Sequence, residues 1–450
     1  MVLKAWPTLR RLGLLALAFV LPGAAAPVAR ISLSTTPLGR IDPRLFGVNY
    51  VWHLVPQSDF PAFDAAMRDV AHATLTRYPG GWAAERYDWD RNEQTGEQAR
   101  AVEPGIGPDA FLAATPRASF VTPSAAAIRD PAEIDQVVQT TAQLVRRFGA
   151  RVAMWEIGNE WWLQRGAKQD PEMRARNLAA YAALVARVVP AMRQANARIE
   201  IYATGEWTHP EDFATLRALV GPAAWDVVTG VSIHPYCGTL EAETLCSLLP
   251  QRAREIRAAS GKRPIYASEW SLGPRVTSDD YGIRNANQLV TAIRSLAEAG
   301  LDAAAYWPPV RAVPAIAFVS AGYGQAFATG RLFGWMSQSF RGEVLRSDGD
   351  LPSAAARGED GVWVVVSSMD AGPRTVEVAL EATGLTRLVS AEVMFAANPD
   401  DRDRARLVQV AALPAAIHRT ADGRASVVFD VNPGTAGRGA AWEIVRLHLR

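Results

Sequence analysis

The pattern of apolar and polar residues changes once along the chain, near residue 342. Before that point, short apolar stretches alternate with longer segments whose apolar residues recur at helical spacing. The short stretches are predicted strands, and they lie at 45–52, 74–81, 118–124, 151–160, 199–207, 227–236, 263–270 and 303–309. Eight strands that alternate with helices predict an α/β fold, a (β/α)8 TIM barrel over residues 41–341.

An open, doubly wound sheet shows the same alternation and is the competing fold. Such a sheet usually has a glycine-rich phosphate-binding loop after its first strand. Residues 47–52 read GVNYVW and do not have that pattern. The helix predicted over 131–149 begins well, because Asp130 can cap it and Pro131 occupies its first position. The barrel is therefore the preferred interpretation.

After residue 342 the segments are strand-like and are separated by turns rich in Gly, Pro and Asp. This pattern of short strands and turns predicts a C-terminal antiparallel β-sandwich domain over residues 342–450. A further strand-like segment, ARISLS at 29–34, precedes the barrel. We expect residues 27–40 to form an N-terminal strand that joins the sandwich.

The N-terminus has the order of an export signal. Lys4, Arg10 and Arg11 precede the apolar run 12–21, which is followed by small residues at 22–26. A membrane anchor is the alternative, but the run is shorter than the roughly 20 residues that span a bilayer. We therefore predict a signal peptide at 1–26, a secreted or periplasmic protein, and no membrane span in the mature chain.

Charge and cysteine content bear on the possible partners of the protein and on its disulfide bonding. The chain has 47 Lys+Arg against 46 Asp+Glu, whereas nucleic-acid-binding proteins normally show a basic surplus, so we expect no nucleic-acid partner. Its two cysteines, Cys237 and Cys246, lie close together in the sequence. In an exported chain such a pair predicts a disulfide, although two free thiols are the alternative. A zinc site would need more ligands than this segment offers.

Chemistry in a barrel of this type lies at the C-terminal ends of the strands. Almost every predicted strand ends in aromatic and polar residues, among them Asn49, Arg77, Trp82, Asn159, Glu160, His234, Tyr236, Glu269, Trp270 and Trp307. A single tryptophan is usually part of a core, but this concentration suits a sugar ring, which stacks on aromatic faces and needs hydrogen-bond partners for its hydroxyls. The pattern predicts a site for an oligo- or polysaccharide.

Two glutamates stand out within this set. Glu160 follows the fourth predicted strand and Glu269 the seventh, so the two lie nearly opposite each other across the barrel. Glycoside hydrolysis needs such a pair of carboxyl groups. A metal site built on the two carboxylates is the competing interpretation, but His209 and His234 give poor ligand spacing. We therefore expect no metal and no other cofactor.

The motifs WEIGNE at 155–160 and ASEW at 267–270 resemble those of clan A of the glycoside hydrolases. LFGVN at 45–49, RYPGG at 77–81 and HPY at 234–236 are similar to motifs of families 39, 51 and 79. The resemblance covers essentially the whole mature chain. It implies a retaining (β/α)8 enzyme whose β-sandwich is built partly from N-terminal sequence. NEWW differs from the Asn-Glu-Pro common in several of these families.

The resemblance also implies roles for individual residues. Glu160 resembles the general acid/base and Glu269 the nucleophile. Asn159 resembles the amide that binds the 2-hydroxyl of the sugar, and Tyr236 resembles the phenol that orients the nucleophile. Trp307 would be the sugar platform, with a core position as the alternative.

Arg77 has two interpretations of equal standing. It resembles an arginine that lies beneath the nucleophile in these enzymes. Alternatively, it forms a structural ion pair with Glu156 inside the barrel, which would explain why a strand buries that carboxylate.

The predicted function is that of a retaining glycosidase acting on an extracellular or periplasmic glycan. The alternative is a non-catalytic glycan-binding protein on a glycosidase fold. A binding module has no need for two carboxylates in one cleft, so the presence of both glutamates favours catalysis. The neighbouring families cleave α-L-arabinofuranosides, β-xylosides or β-glucuronides, and the sequence does not select among these substrates.

Overall fold

The computed structural model describes residues 27–95, 103–115, 117–237, 243–262, 264–272, 282–310, 316–380, 383–419, 424–434, 438–439 and 441–450. The predicted signal peptide, residues 1–26, lies outside the described residues. No helix in the described ranges has both the length and the apolar character needed to cross a membrane.

The strands, in chain order, are β1 (Val28–Ile41), β2 (Gly47–Asn49), β3 (Leu75–Tyr78), β4 (Tyr87–Asp88), β5 (Glu93–Gln94), β6 (Ala118–Thr122), β7 (Met154–Ile157), β8 (Glu200–Gly205), β9 (Gly230–Ile233), β10 (Ile265–Trp270), β11 (Ala303–Tyr306), β12 (Gly342–Gly349), β13 (Ser353–Gly358), β14 (Gly361–Ser367), β15 (Arg374–Ala379), β16 (Leu388–Ala396), β17 (Val408–Ala412), β18 (Ala415–Arg419), β19 (Ala425–Val431) and β20 (Ile444–Leu449).

The α-helices are α1 (Phe60–Asp69), α2 (Pro108–Ala114), α3 (Ala125–Arg129), α4 (Ile134–Phe148), α5 (Pro171–Ala195), α6 (Pro210–Val220), α7 (Pro222–Trp225), α8 (Glu243–Ser260), α9 (Gly282–Glu298) and α10 (Ala328–Ser339). Short 3-10 segments lie between them, including one at Gly81–Arg86 that follows β3.

Eight parallel strands close into a barrel in the order β2, β3, β6, β7, β8, β9, β10 and β11, and β11 pairs back onto β2. Nearly every residue of these strands is buried, because helices cover the outside of the barrel and side chains fill its inside. Each of the eight predicted strand segments contains one of these strands. The predicted TIM barrel is confirmed.

Two barrel helices show how far sequence signals define helix starts. The Asp130 side chain accepts a hydrogen bond from the backbone N–H of Ala132, as its predicted capping role requires, and a 3-10 turn then leads into α4. Helix α5 begins at Pro171, and the Asp170 side chain caps it by accepting a hydrogen bond from the backbone N–H of Met173. Its first turns are polar and exposed, so the apolar pattern begins only after the helix has started.

Strands β12 to β20 and β1 form one ten-stranded sheet that encloses a separate apolar core. Strand β1 lies between β12, to which it is antiparallel, and β15, to which it is parallel. Its alternate residues Ala29, Ile31 and Leu33 point into that core. The predicted β-sandwich with an N-terminal strand is confirmed.

Helix α9 joins the two parts, since it packs against β1, β12, β13 and β14. Within this contact, Asn287 donates a hydrogen bond to the Trp442 carbonyl (2.6 Å) and accepts one from the Ser367 hydroxyl (2.5 Å). A buried amide whose two ends are both satisfied fixes the orientation of the sheet against the barrel.

Candidate active site

A single arginine organises the C-terminal end of the barrel. Arg77, in β3, is fully buried, and its Nε donates to Glu156 at 2.7 Å. Its Nη1 donates to Glu269 at 2.7 Å and to Asn49 at 3.0 Å, and its Nη2 donates to Asn159 at 2.9 Å. Arg77 therefore contacts both carboxylates: it forms the ion pair with Glu156, and it also binds Glu269.

Glu156, in β7, points into the barrel and is completely paired. Its second oxygen accepts hydrogen bonds from the Ser232 hydroxyl at 2.7 Å and the Ser268 hydroxyl at 2.6 Å. Burial alone would raise the pKa of this carboxyl, but the charge of Arg77 and the hydrogen bonds outweigh burial and lower the pKa to about 2. Glu156 is an ionised structural residue.

Glu269 lies near the end of β10 with both oxygens engaged. Oε1 accepts from Arg77, and Oε2 accepts from the Tyr236 hydroxyl at 2.5 Å. Burial raises the pKa of the Tyr236 phenol well above its usual value, so the phenol keeps its proton and donates. Two donors on different oxygens fix the plane of the Glu269 carboxyl group.

Glu160 lies in the turn after β7 and is the more accessible glutamate. Its side chain is 22% exposed, against 4% for Glu269. Its Oε1 is 3.0 Å from Nδ1 of His234. A carboxylate oxygen of Glu160, one of Glu269 and a ring nitrogen of His234 all lie within 4.8 Å of one another. The fold thus brings together the two glutamates that follow the fourth and seventh barrel strands.

His234 lies between three carboxylates, and their charges shift the pKa of its imidazole ring. Burial lowers the pKa of the imidazole, but the negative charges of Glu269, Glu156 and Glu160 outweigh burial and raise it to about 10. These charges favour the imidazolium form of the ring. Its charge balances part of the negative charge that the three glutamates bring into the site.

His234 was expected to have poor ligand spacing, yet the fold brings it together with Glu160 and Glu269 at distances that a metal ion could bridge. Glu269 already accepts hydrogen bonds from Arg77 and Tyr236, so a metal ion at this position would have to compete with both donors. The arrangement favours hydrogen bonding. His209 is at the start of α6, where it contacts Glu211.

The NEWW sequence places two tryptophans behind Glu160. Trp161 is fully buried, stacks on Tyr181 and donates from Nε1 to the Thr204 carbonyl at 2.8 Å. Trp162 packs edge-to-face on the His234 ring, with 5.5 Å between ring centroids. Together they anchor the turn that carries Glu160 and hold His234 against it.

Two of the predicted tryptophans offer aromatic surface. Trp307 is partly exposed and lies directly over the turn after β3, where a Cβ added to Gly81 would be 2.2 Å from its ring. Gly81 also has a φ of 56°, so both the space and the backbone conformation require glycine. Trp82 is 39% exposed, and the Arg86 guanidinium lies 4.2 Å from its ring centroid.

Trp270 and Asn49 do not line an open surface, which corrects their prediction as substrate-binding residues. Trp270 is fully buried and packs on Tyr306 and Phe333. Asn49 is also fully buried, and besides accepting from Arg77 it donates to the carbonyls of Ser268 and Ala305, on two other barrel strands. Strand-end position alone did not reveal which side chains point inward. These residues, like Arg77, position others.

Glu85 was missed by the sequence reasoning. It lies in the 3-10 segment after β3 and accepts a hydrogen bond from the backbone N–H of Asn159 at 2.5 Å. The only signal in the sequence was a glutamate shortly after the glycine pair of a barrel strand.

The predicted disulfide between Cys237 and Cys246 is present. Cys237 follows Tyr236, and its backbone N–H donates to the Ser271 carbonyl at 3.0 Å. The bridge thus ties the loop carrying Tyr236 to helix α8. Residues 238–242, between the cysteines, lie outside the described residues.

No known protein-family profile and no curated protein sequence matches this chain. Solved structures do match it in fold. A family 51 α-L-arabinofuranosidase from Bifidobacterium longum aligns with a TM-score of 0.66 and 16% identity, covering 95% of this chain and 100% of that chain. An α-L-arabinofuranosidase from Thermotoga maritima, solved with arabinose, aligns with a TM-score of 0.67 and 15% identity, covering 93% and 99%.

A bifunctional glucanase-xylanase from a metagenome library aligns with a TM-score of 0.61 and 14% identity, covering 94% of this chain and 99% of that chain. These structural neighbours are all glycoside hydrolases, and each alignment includes nearly the whole of both chains. The chain has the fold of the clan A glycoside hydrolases.

Proposed function

We propose that this protein is a retaining glycoside hydrolase in which Glu269 is the nucleophile and Glu160 the general acid/base. The observation that carries the proposal is the approach of the two carboxylates, since one oxygen of Glu160 lies within 4.8 Å of one oxygen of Glu269. Retaining enzymes hold their two carboxyl groups about 5–5.5 Å apart, whereas inverting enzymes leave about 6.5–9.5 Å for a water molecule. The spacing here supports the retaining mechanism.

In the first step, Glu269 attacks the anomeric carbon while Glu160 gives its proton to the glycosidic oxygen, so the C–O bond breaks and the leaving group departs as an alcohol. Arg77 and Tyr236 hold the Glu269 carboxylate in position for this attack. The greater exposure of Glu160 suits a group that meets both the leaving group and water.

In the second step, Glu160 takes a proton from water, which attacks the anomeric carbon and releases Glu269. Two inversions return the original anomeric configuration. Because Arg77 occupies the Asn159 side-chain oxygen, the amide of Asn159 presents its N–H donors. A donor at this place suits the sugar 2-hydroxyl, a contact that strengthens in the transition state.

The aromatic walls of the site support a carbohydrate substrate. Trp307 and Trp82 supply the partly exposed aromatic surface on which a sugar ring stacks. The structural neighbours include arabinofuranosidases and a glucanase-xylanase, so α-L-arabinofuranosides, xylan and β-glucan are the first substrates to test. We further propose a secreted or periplasmic location, which the N-terminal sequence and the disulfide support.

Trapping of the covalent intermediate separates catalysis from glycan binding alone. Purified protein is incubated with activated 2-fluoroglycosides of arabinose, xylose, glucose and glucuronic acid, and its mass is measured. We expect one glycosyl unit to be added, on the peptide that contains Glu269. Absence of any adduct, together with no hydrolysis of the corresponding chromogenic glycosides and polysaccharides, would favour the non-catalytic binding protein.

The anomeric outcome tests the mechanism independently. Proton NMR of the first-formed product should show the configuration of the substrate. An inverted product would contradict the double displacement even if the protein hydrolyses glycosides.

A further inference from the structure

The Glu85 carboxylate accepts four hydrogen bonds from two other loops. Oε2 accepts from the backbone N–H groups of Ser124 (2.6 Å) and Ala125 (2.7 Å). Oε1 accepts from the Ser124 hydroxyl (2.8 Å) and from the backbone N–H of Asn159 (2.5 Å). Burial raises the pKa of this carboxyl, and the four hydrogen bonds act against that effect.

These contacts connect the loops that follow three neighbouring barrel strands, β3, β6 and β7. The turn after β7 is tight: Gly158 has a φ of 71° and Glu160 a φ of 49°. A Cβ added to Gly158 would lie 2.2 Å from the Ser124 hydroxyl, so this turn packs directly on the residue that Glu85 holds. Its conformation therefore depends on the contacts made by its neighbours.

Asn159 is held from two directions. Glu85 accepts from its backbone N–H, while Arg77 donates to its side-chain oxygen at 2.9 Å. Arg77 also binds Glu269. Asn159, the residue directly before Glu160, is thus linked to Glu269 through Arg77, and it is bound to Glu85 directly.

We propose that Glu85 is a positioning residue that sets the orientation of the Glu160 carboxyl group through the backbone of Asn159. The inference rests on the proposed role of Glu160 as general acid/base. Glu85 acts through the turn and does not itself touch the substrate in this scheme.

The chemistry of the contacts specifies a carboxylate. Three of the four groups that face Glu85 are backbone N–H groups, which can only donate. A carboxylate accepts on both oxygens, whereas a glutamine has one accepting oxygen and an NH₂ group. In Glu85→Gln, that NH₂ would oppose backbone N–H donors, so the turn would have to shift even though the side-chain shape is almost unchanged.

Leaving-group dependence measures this shift. Glu85→Gln is compared with wild type on an oligosaccharide, whose leaving sugar needs a proton, and on a dinitrophenyl glycoside, whose leaving group does not. We expect kcat/KM on the oligosaccharide to fall about 10²-fold, because a misplaced acid loses much of its effect. On the dinitrophenyl glycoside kcat/KM should change only a few-fold. Glu93→Gln, an exposed glutamate of β5, should match wild type on both.

Equal losses on the two substrates would overturn the proposal, because a general structural role would impair both reactions alike. No loss on either substrate would also overturn it. Glu85→Asp, which restores an acceptor on both oxygens, should recover part of the oligosaccharide activity.

Ser124→Ala serves if Glu85→Gln fails to fold, since it removes one hydrogen bond to Glu85 and keeps the carboxylate. We expect a smaller loss on the oligosaccharide than Glu85→Gln would give, again with little change on the dinitrophenyl glycoside; unchanged kinetics would overturn the inference. If wild-type protein hydrolyses no glycoside, the proposed function itself fails and this inference with it. If wild type is active and only the selective loss is missing, the function stands and the role of Glu85 fails.

Discussion

The candidate site has two regions that differ in exposure and pairing, which we call the floor and the mouth. The floor consists of fully enclosed, mutually paired groups: Arg77, Glu156, Asn49, Ser232 and Ser268. The mouth consists of partly exposed side chains: Glu160, Trp82 and Trp307. Glu156 and Glu160 are only four positions apart in the sequence. Glu156 accepts hydrogen bonds from Arg77 and two serines, whereas Glu160 contacts His234.

This difference explains how one short segment can carry a structural and a proposed catalytic carboxylate. A charge enclosed in the floor needs complete pairing, since an unpaired buried charge costs several kcal/mol. A proton donor in the mouth needs access to substrate and water, so its contacts have to be few. Glu269 lies at the boundary: its oxygens bind floor and loop residues, and its neighbour across the cleft is Glu160.

The largest expected effect comes from removing the boundary residue. Glu269→Ala should lower turnover on every substrate by a factor on the order of 10⁵, because no covalent intermediate can form without the nucleophile. Steady-state assays on an oligosaccharide and on a dinitrophenyl glycoside check this. Added azide should yield a glycosyl azide of inverted configuration. Substantial activity in this variant would place the nucleophile elsewhere.

Glu160→Ala should be damaging only where a proton is needed. We expect kcat/KM to fall about 10²- to 10⁴-fold on the oligosaccharide and far less on a dinitrophenyl glycoside. Azide should revive turnover with retained configuration, since it enters the space vacated by the carboxylate. Glu172→Ala, an exposed glutamate of α5, is the control. If Glu160→Ala and Glu269→Ala exchange these behaviours, the two roles are reversed.

The ion pairs of the floor should contribute to the free energy of unfolding. Arg77→Met leaves Glu156 and Glu269 without their shared cation, so the free energy of unfolding should fall by about 3–5 kcal/mol. Urea denaturation followed by circular dichroism measures the change. Arg176→Met removes an exposed ion pair with Glu172 and should cost at most about 1 kcal/mol. Similar losses in the two variants would show that the floor network contributes no more than a surface pair.

Stability should also depend on pH at both ends of the range. The pKa of His234 is raised to about 10 in the fold, so its contribution is present below pH 6.5 and is lost as pH rises from 6.5 to 10. The pKa of Glu156 is lowered to about 2, so its contribution is lost as pH falls from about 4.5 towards 2. Urea unfolding of wild type and His234→Gln from pH 6 to 10 tests the alkaline part. The variant should show a flatter dependence; an unchanged slope would contradict the assignment.

Much of this site could be predicted because barrel chemistry lies at the ends of strands. The alternation of apolar stretches and amphipathic helices defined the barrel, and the two glutamates and Asn159 followed from their places after strands. Glu85 could not be found in this way. Its partner Asn159 is 74 residues away in the sequence, and neither residue type nor local spacing indicates the contact.

The sequence by itself determined the eight barrel strands, the sandwich with its N-terminal strand, the pair Glu160 and Glu269, and the cysteines able to form a disulfide, because these depend on local periodicity and on position relative to strands. Only the tertiary structure decided that Arg77 serves two carboxylates and that Trp270 belongs to the core while Trp307 is partly exposed. It also decided that three glutamates surround His234 and raise the pKa of its imidazole. Pairing, burial and pKa depend on which groups meet in three dimensions. Turns with positive φ after the strands also change the direction of side chains, and the apolar periodicity of the sequence does not predict these turns.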